Sequence, residues 1–187
     1  MKTSLLVVIV LVVLGAGYYL STSGGAKPAA TEYKNATYVI EGEPVTLING
    51  RAETPAAPGS ASKVVTQYFG NELKTDLNGD GREDVAFILT QDRGGSGTFY
   101  YAVAALNTTK GWIGSDGYLL GDRVAPQATT ISPNPKQKQV VVFNYADRAP
   151  NEPMTAQPSV GKSAYLKLNP EAMQWGIVIP NFEGESR

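Results

Sequence analysis

Beyond residue 20 the chain consists of short runs rich in β-branched and aromatic residues, separated by turn-forming residues. The clearest runs are residues 85–90 (VAFILT), 98–106 (TFYYAVAAL) and 139–145 (QVVVFNY). Twenty glycines and twelve prolines supply turns between such runs. Apolar residues do not recur there at helical spacing. We therefore predict an all-β fold, either an antiparallel β-sandwich or a partly open barrel.

The order of the runs also predicts which strands lie at the centre. Residues 85–90 and 98–106 are joined by a glycine-rich hairpin loop at residues 91–97 and should form the core of a sheet. Phe99 and Tyr101 should share one face and Tyr100 the other, because side chains alternate along a strand. Residues 54–62, rich in proline and small residues, predict an exposed loop. The remaining predicted strands are residues 36–40, 45–48, 63–70, 117–120, 128–131 and 164–168.

The first 20 residues differ from the rest of the chain. Lys2 is followed by an unbroken apolar run at residues 5–20 (LLVVIVLVVLGAGYYL). This run is longer than the apolar core of a cleaved signal peptide and is not followed by a good Ala-x-Ala site, so we interpret it as an uncleaved transmembrane anchor. Cleavage between Ala16 and Ala30 is the alternative. Either interpretation places the following domain outside the cytoplasm, and the anchor interpretation makes the chain a single-pass cell-membrane protein.

This organisation divides the chain into three parts. Residues 1–20 form the membrane anchor, residues 21–34 form a flexible linker of small residues, and residues 35–187 form a single extracytoplasmic β domain.

Composition excludes several kinds of chemistry. The chain contains neither cysteine nor histidine, which excludes Ser-His-Asp and Cys-His catalysis, disulfides and thiolate metal sites. A metal ion would have to be bound by oxygen atoms. The formal net charge of −1 gives no electrostatic reason to expect nucleic acid as a partner.

One nine-residue segment predicts such an oxygen site. It follows the pattern D-x-N-x-D-G-x-x-D, in which Asp76, Asn78 and Asp80 occupy alternate positions and can converge on one Ca²⁺ ion. The carbonyl oxygen of Arg82 would supply a further ligand while its side chain points away. Asp84 would bind directly or through water.

The same segment differs from a helix-loop-helix sensor. Phe87 stands where an EF-hand loop has its bidentate Glu, and the residues after Asp84 predict a strand. The loop resembles the calcium loops of integrin-type and related β-repeat proteins, in which the loop leads directly into a strand. A structural ion is favoured over a regulatory one, because extracellular loops often bind calcium with dissociation constants of about 10⁻⁴ to 10⁻³ M. The alternative is an Asx-rich turn without an ion. We favour calcium because the three aspartates of the motif, within nine residues, repel one another without a cation.

Three Asp-Arg pairs lie near predicted strand ends. Their arginines, Arg93, Arg123 and Arg148, would form an anion-binding site if they converged. The alternative is that each aspartate caps a turn while its arginine pairs locally.

Paired carboxylates are the one enzyme chemistry that the sequence makes worth testing, as a glycosidase-like acid and base, and no spacing selects one pair. Solvated turn residues are the favoured alternative for all five candidates. The scattered candidates are Asp92, Asp116, Asp122, Asp147 and Glu152.

Several motifs together resemble a module of uncharacterised bacterial envelope proteins and lipoproteins. They are the calcium loop with residues 84–87 (DVAF), GGSGTFYY at residues 94–101, LGDR at 120–123 and EPM at 152–154. The similarity spans about Gln67 to Leu168. It implies an envelope location and a calcium loop, without an assigned activity. Many relatives carry a Cys pair after the Pro-Met, where this chain has Thr155 and Ala156.

The sequence therefore predicts a membrane-anchored extracytoplasmic β domain with one structural calcium site. We expect it to serve as a binding or structural module of the cell envelope, with an envelope protein or a glycan as its partner. One alternative is a hydrolase of envelope polysaccharide or peptide. Another is an accessory subunit of a membrane complex, which an exposed apolar patch near Tyr100 or Trp112 would favour.

Overall fold

The computed structural model of the chain describes residues 32–179. The predicted anchor at residues 1–20 and most of the predicted linker lie outside this range. Within it, no helix is both long and apolar enough to cross a membrane. Tyr33 and Lys34, at the end of the predicted linker, belong to a 3₁₀ turn, Tyr33–Asn35, and Tyr33 packs against Phe87 and Trp112.

The described part of the chain is all-β, as predicted. Its strands pair in antiparallel registers, and an isolated parallel bridge joins Val39 to Asp116. The strands are β1 Thr37–Ile40, β2 Glu43–Thr46, β3 Arg51–Pro55, β4 Lys63–Thr75, β5 Asp84–Asp92, β6 Thr98–Thr108, β7 Gly111–Gly114, β8 Tyr118–Asp122, β9 Ala125–Ile131, β10 Val140–Asp147, β11 Val160–Asn169 and β12 Gln174–Ile177.

The strands form a large central sheet and two smaller sheets. The central sheet has the order β3-β4-β5-β6-β7, and β8 also pairs with β6. A second sheet has the order β12-β11-β10-β9, and β1 pairs with β2 as a separate hairpin. Since β5 and β6 are both apolar on both faces, each face must be covered by another layer.

The two smaller sheets cover opposite faces of the central sheet. On one face Ile88 and Ala104 pack with Phe143 and Leu166 of the second sheet. On the other face Phe87 packs in a cluster with residues of the β1–β2 hairpin. The result is a sandwich-like fold with an additional hairpin layer.

The central strands are those that the sequence predicts. All residues of β5 except Asp92 are buried, and β6 is buried from Tyr101 to Leu106. Phe99 and Tyr101 join the hairpin-side cluster, whereas Tyr100 packs on the opposite side, which confirms the predicted alternation. The sequence did not predict β3, β7 or β12, which are short strands of four or five residues with few buried side chains.

Candidate functional site

The candidate calcium loop connects β4 to β5 and winds around the carboxylate of Asp76. Oδ1 of Asp76 accepts the backbone N–H groups of Asn78 (3.2 Å), Gly79 (2.6 Å) and Asp80 (3.2 Å), and Oδ2 accepts that of Gly81 (2.9 Å). Gly79 and Gly81 have φ values of +85° and +83°, which glycine adopts without strain. These N–H groups, first that of Gly81, hold the pKa of Asp76 below its ordinary value. Asp76 is therefore ionised, as a calcium ligand must be.

Asp84 ties the base of the loop to the central sheet. Its side chain is fully buried, and its two oxygens accept the backbone N–H groups of Leu77 (2.9 Å) and Asn107 (2.8 Å). Burial raises the pKa of Asp84, and the nearby charges of Asp80 and Asp76 raise it further. The three acidic side chains of the motif therefore lie close enough to repel one another.

Asp80 is held by residues of its own loop. Its carboxylate accepts the amide group of Asn78 (2.9 Å) and the backbone N–H of Arg82 (2.9 Å), and it forms an ion pair with the Arg82 guanidinium. Nε of Arg82 also donates to the carbonyl oxygen of Asn107 (2.5 Å). The expectation that the Arg82 side chain points away from the loop is wrong, because its guanidinium forms an ion pair with Asp80.

The loop fits calcium in the chemistry of its donors. The side-chain atoms that could bind an ion are hard oxygen atoms, and the acidic groups of the loop repel one another without a cation. The guanidinium of Arg82 supplies one positive charge at Asp80. Across residues 32–179, however, no three acidic, histidine or cysteine side chains are grouped so as to hold a metal ion. A bound ion would have to take the place of Arg82 beside Asp80.

Two of the three predicted anion-binding arginines contact each other in the structure. Arg148 donates to the carbonyl oxygens of Asp122 (3.3 Å) and Arg123 (3.1 Å), so Arg123 and Arg148 lie together. Arg93 forms its ion pair with Glu41, in the hairpin on the other side of the central sheet.

The aspartates of these pairs have local partners. Asp92 accepts the backbone N–H of Gly94 (2.8 Å), and Asp122 pairs with Arg123 (3.2 Å). Asp147 pairs with Lys162 at 2.7 Å, and this interaction is the main reason for its lowered pKa. Turn capping holds for Asp92, and local pairing holds for Asp122 with Arg123, whereas Arg93 pairs with Glu41.

The carboxylates considered for a hydrolase are spread over different turns. Glu152 accepts the backbone N–H of Ala149 (2.8 Å) in its own turn, and Asp122 accepts that of Thr98 (2.9 Å). Asp116 lines a small cavity of about 220 Å³ together with Trp175. Their observed contacts give a structural role to each of these side chains except Asp116.

Sequence reasoning missed two polar clusters that tertiary contacts assemble. In the first, Oε1 of Glu72 accepts the hydroxyl groups of Tyr33 (2.5 Å) and Tyr68 (2.7 Å), with Lys34 over the Tyr68 ring. In the second, Glu41 accepts the hydroxyl of Tyr101 (2.8 Å) beside Arg93. Tyr33 and Glu72 are 39 residues apart along the chain, and Glu41 and Tyr101 are 60 apart, so no local motif marks either cluster.

A comparison with known protein families, curated proteins and solved structures finds no match for this chain.

Proposed function

We propose that this protein is a single-pass membrane protein whose β-sandwich domain lies outside the cytoplasm and is stabilised by one calcium ion in the loop from Asp76 to Asp84. The domain serves as a binding or structural module of the cell envelope. The apolar run at residues 5–20 supplies the anchor, and the absence of cysteine and histidine excludes Ser-His-Asp and Cys-His catalysis.

The observation that supports calcium most directly is the winding of the loop around Asp76. Four backbone N–H groups orient this carboxylate and keep it ionised. Asp80 and Asp84 add two further acidic groups close by, while Arg82 is the cation in contact with Asp80. Calcium would offset this repulsion with two positive charges, and a loop of hard oxygen donors is the kind of site that it prefers.

The position of the loop suggests a structural role for the ion. Asp84 joins the loop to β6 through Asn107, and Leu77 of the loop is buried in the core between the two larger sheets. Ordering the loop would therefore stabilise the sandwich. Extracellular calcium loops bind the ion with dissociation constants of about 10⁻⁴ to 10⁻³ M, which suffices outside the cell, where calcium is plentiful.

Calcium titration of the chelator-treated full-length protein in lipid nanodiscs tests this proposal. We expect calorimetric binding of one ion and a higher melting temperature, and both should be lost in Asp80→Ala. Asp92→Ala is the matched control, because Asp92 also caps a turn through a backbone N–H but lies outside the loop. No binding heat and no change in melting temperature in the parent protein would refute the calcium site.

The proposed orientation has a separate test. The natural chain contains no cysteine, so Ser60→Cys, in an exposed loop, introduces a single thiol. In intact cells this thiol should react with a maleimide that cannot cross the cytoplasmic membrane. Labelling that requires cell lysis would place the domain in the cytoplasm and overturn the proposed location.

A further inference from the structure

A cleft of about 770 Å³ opens between the β1–β2 hairpin and the edge of the central sheet. Strands β2 and β3 are joined by a tight turn at Asn49-Gly50, in which Ile48 and Arg51 exchange backbone hydrogen bonds of 2.9 and 3.1 Å. Beyond that turn β2 pairs with β1, and β3 pairs with β4. Because the two strands take partners on opposite sides, they diverge and leave the cleft between them.

The polar end of the cleft is organised around the guanidinium of Arg93. Nε donates to Oε1 of Gln91 (2.9 Å), and Nη2 donates to the hydroxyl of Tyr101 (2.6 Å) and forms an ion pair with Oε1 of Glu41 (2.7 Å). The guanidinium also lies over the ring of Phe99, 4.4 Å from its centroid. These contacts fix the orientation of Arg93 before any ligand arrives.

The same contacts leave hydrogen-bonding capacity for a ligand. Within residues 32–179, the hydrogen bonds and the ion pair of Arg93 and Glu41 use Nε and Nη2 of Arg93 and Oε1 of Glu41. Nη1 of Arg93 can therefore donate and Oε2 of Glu41 can accept. Both side chains are partly exposed, at 37% and 49%.

The charges of the pair favour an uncharged ligand. The charges of Arg93 and Glu41 are in direct contact and cancel each other. A ligand carboxylate bound by Arg93 would therefore be repelled by Glu41, and a ligand ammonium group bound by Glu41 would be repelled by Arg93. A pair of neighbouring hydroxyl groups suits the arrangement better, since each hydroxyl both donates and accepts hydrogen bonds.

The walls of the cleft complement the C–H faces of a sugar ring. They include Pro44, Val45, Pro55, Pro58 and Val64. Pockets of this kind bind by apolar contact along the walls and by a few fixed polar groups. The prolines also disfavour an added peptide strand, because Pro44 interrupts the N–H donors of β2 and Pro55 those of β3.

We propose that this cleft binds an uncharged, hydroxyl-rich saccharide, with Arg93 donating to and Glu41 accepting from neighbouring hydroxyl groups. The inference rests on the proposed function in one respect, because it names the ligand class of a domain exposed to the cell envelope. It does not depend on the calcium loop, which ends at the first residue of β5, whereas Arg93 follows the last.

The test uses the full-length protein in lipid nanodiscs without maltoside or glucoside detergent. The probes are cellotriose, maltotriose, xylotriose and chitotriose, titrated separately by calorimetry. We expect at least one of them to bind, and Arg93→Met and Glu41→Gln each to weaken that binding about tenfold, as the loss of one ligand hydrogen bond to a charged group does. Arg51→Met is the matched control, because Arg51 forms a similar 2.7 Å ion pair with Glu53 outside the cleft lining.

A second variant tests the cleft without changing a residue of the polar cluster. Ala57→Trp places a bulky side chain on the exposed loop wall of the cleft and leaves the Arg93 contacts intact. It should abolish saccharide binding without changing the melting temperature.

Three results would overturn the inference. They are failure of all four saccharides to bind, binding that the Arg93, Glu41 and Ala57 variants leave unchanged, and binding of a zwitterionic dipeptide such as Ala-Ala in place of the saccharides. Calcium-dependent melting, measured on the same samples, separates failure of this inference from failure of the calcium proposal.

Discussion

Tyr38 packs so closely over Gly114 that a Cβ atom at position 114 would lie 2.7 Å from Cδ1 of Tyr38. Through this contact the β1–β2 hairpin lies against β7 at the edge of the central sheet. The backbone reinforces the contact, since Val39 N–H donates to the carbonyl oxygen of Ser115 (3.2 Å) and Gly117 N–H donates to that of Val39 (2.8 Å). The hairpin closes the apolar cluster around Phe87 and forms one wall of the cleft.

Gly114→Ala should therefore loosen the hairpin. The methyl group would collide with Tyr38 and the backbone of Thr37, and overpacking of this kind costs about 1–3 kcal/mol. Urea unfolding followed by tryptophan fluorescence measures the loss. Gly95→Ala is the control, because a Cβ there meets no atom within 4 Å, and equal stability of the two variants would contradict the close contact.

Phe87→Ala should be among the most destabilising substitutions on the hairpin side of the central sheet. Phe87 is fully buried, and its ring lies 5.6 Å from that of Tyr38 and 5.5 Å from that of Tyr68. We expect a loss of about 3–5 kcal/mol in the free energy of unfolding. Val160→Ala, at a partly exposed position, should cost less than about 1 kcal/mol under the same urea titration. Similar losses in both variants would argue against a core at Phe87.

Asp84→Asn should destabilise the domain even when calcium is removed by a chelator. The substitution keeps one acceptor but directs an amide N–H₂ group toward the backbone N–H of Leu77 or Asn107, and a buried unsatisfied donor costs about 1–3 kcal/mol. Thermal melting in excess chelator measures this calcium-independent part. Glu83→Gln, at the preceding exposed position, should melt like the parent protein. An Asp84→Asn variant with parental stability in chelator would show that these two hydrogen bonds contribute little.

Alkaline conditions should unfold the domain. Burial and the nearby Glu41 raise the pKa of Tyr101 to about 12, and burial and Glu72 do the same for Tyr68. The unfolded chain releases the phenolic protons near pH 10, so the folded state holds more protons between pH 10 and 12 and its stability falls across that interval. Absorbance at 295 nm, recorded with circular dichroism, should show one group of tyrosines titrating near pH 10 and another only as the sheet structure is lost. Ionisation of all tyrosines near pH 10 with the fold intact would contradict the raised pKa values.

Tyr68→Phe separates this effect from general alkaline instability. The variant removes one phenol group whose pKa is raised and keeps the ring contact with Phe87. Its loss of stability between pH 10 and 12 should be smaller than that of the parent protein. An unchanged pH profile would assign the alkaline transition to other groups.

The central layer of the fold could be predicted from sequence because its signals are local. Residues 85–90 and 98–106 are apolar on both faces and are joined by a glycine-rich turn, so they can only be a buried hairpin, and β5 and β6 are that hairpin. The order of Asp, Asn and Gly at residues 76–84 likewise determines a tightly wound loop, since backbone N–H groups within five residues bind Asp76.

Edge strands and polar clusters depended on tertiary structure. Strand β12 has a single half-buried tryptophan, Trp175, whose indole N–H donates to the carbonyl oxygen of Ala102, and nothing local predicts that partner. The contact between Arg93 and Glu41 joins residues 52 positions apart and exists because the hairpin folds over one face of the central sheet. By itself the sequence determined the all-β class, the central hairpin and the acidic loop, because neighbouring residues encode them. Only the tertiary structure decided the layer order, the cleft and its charged pair, because these depend on which distant apolar faces are buried together.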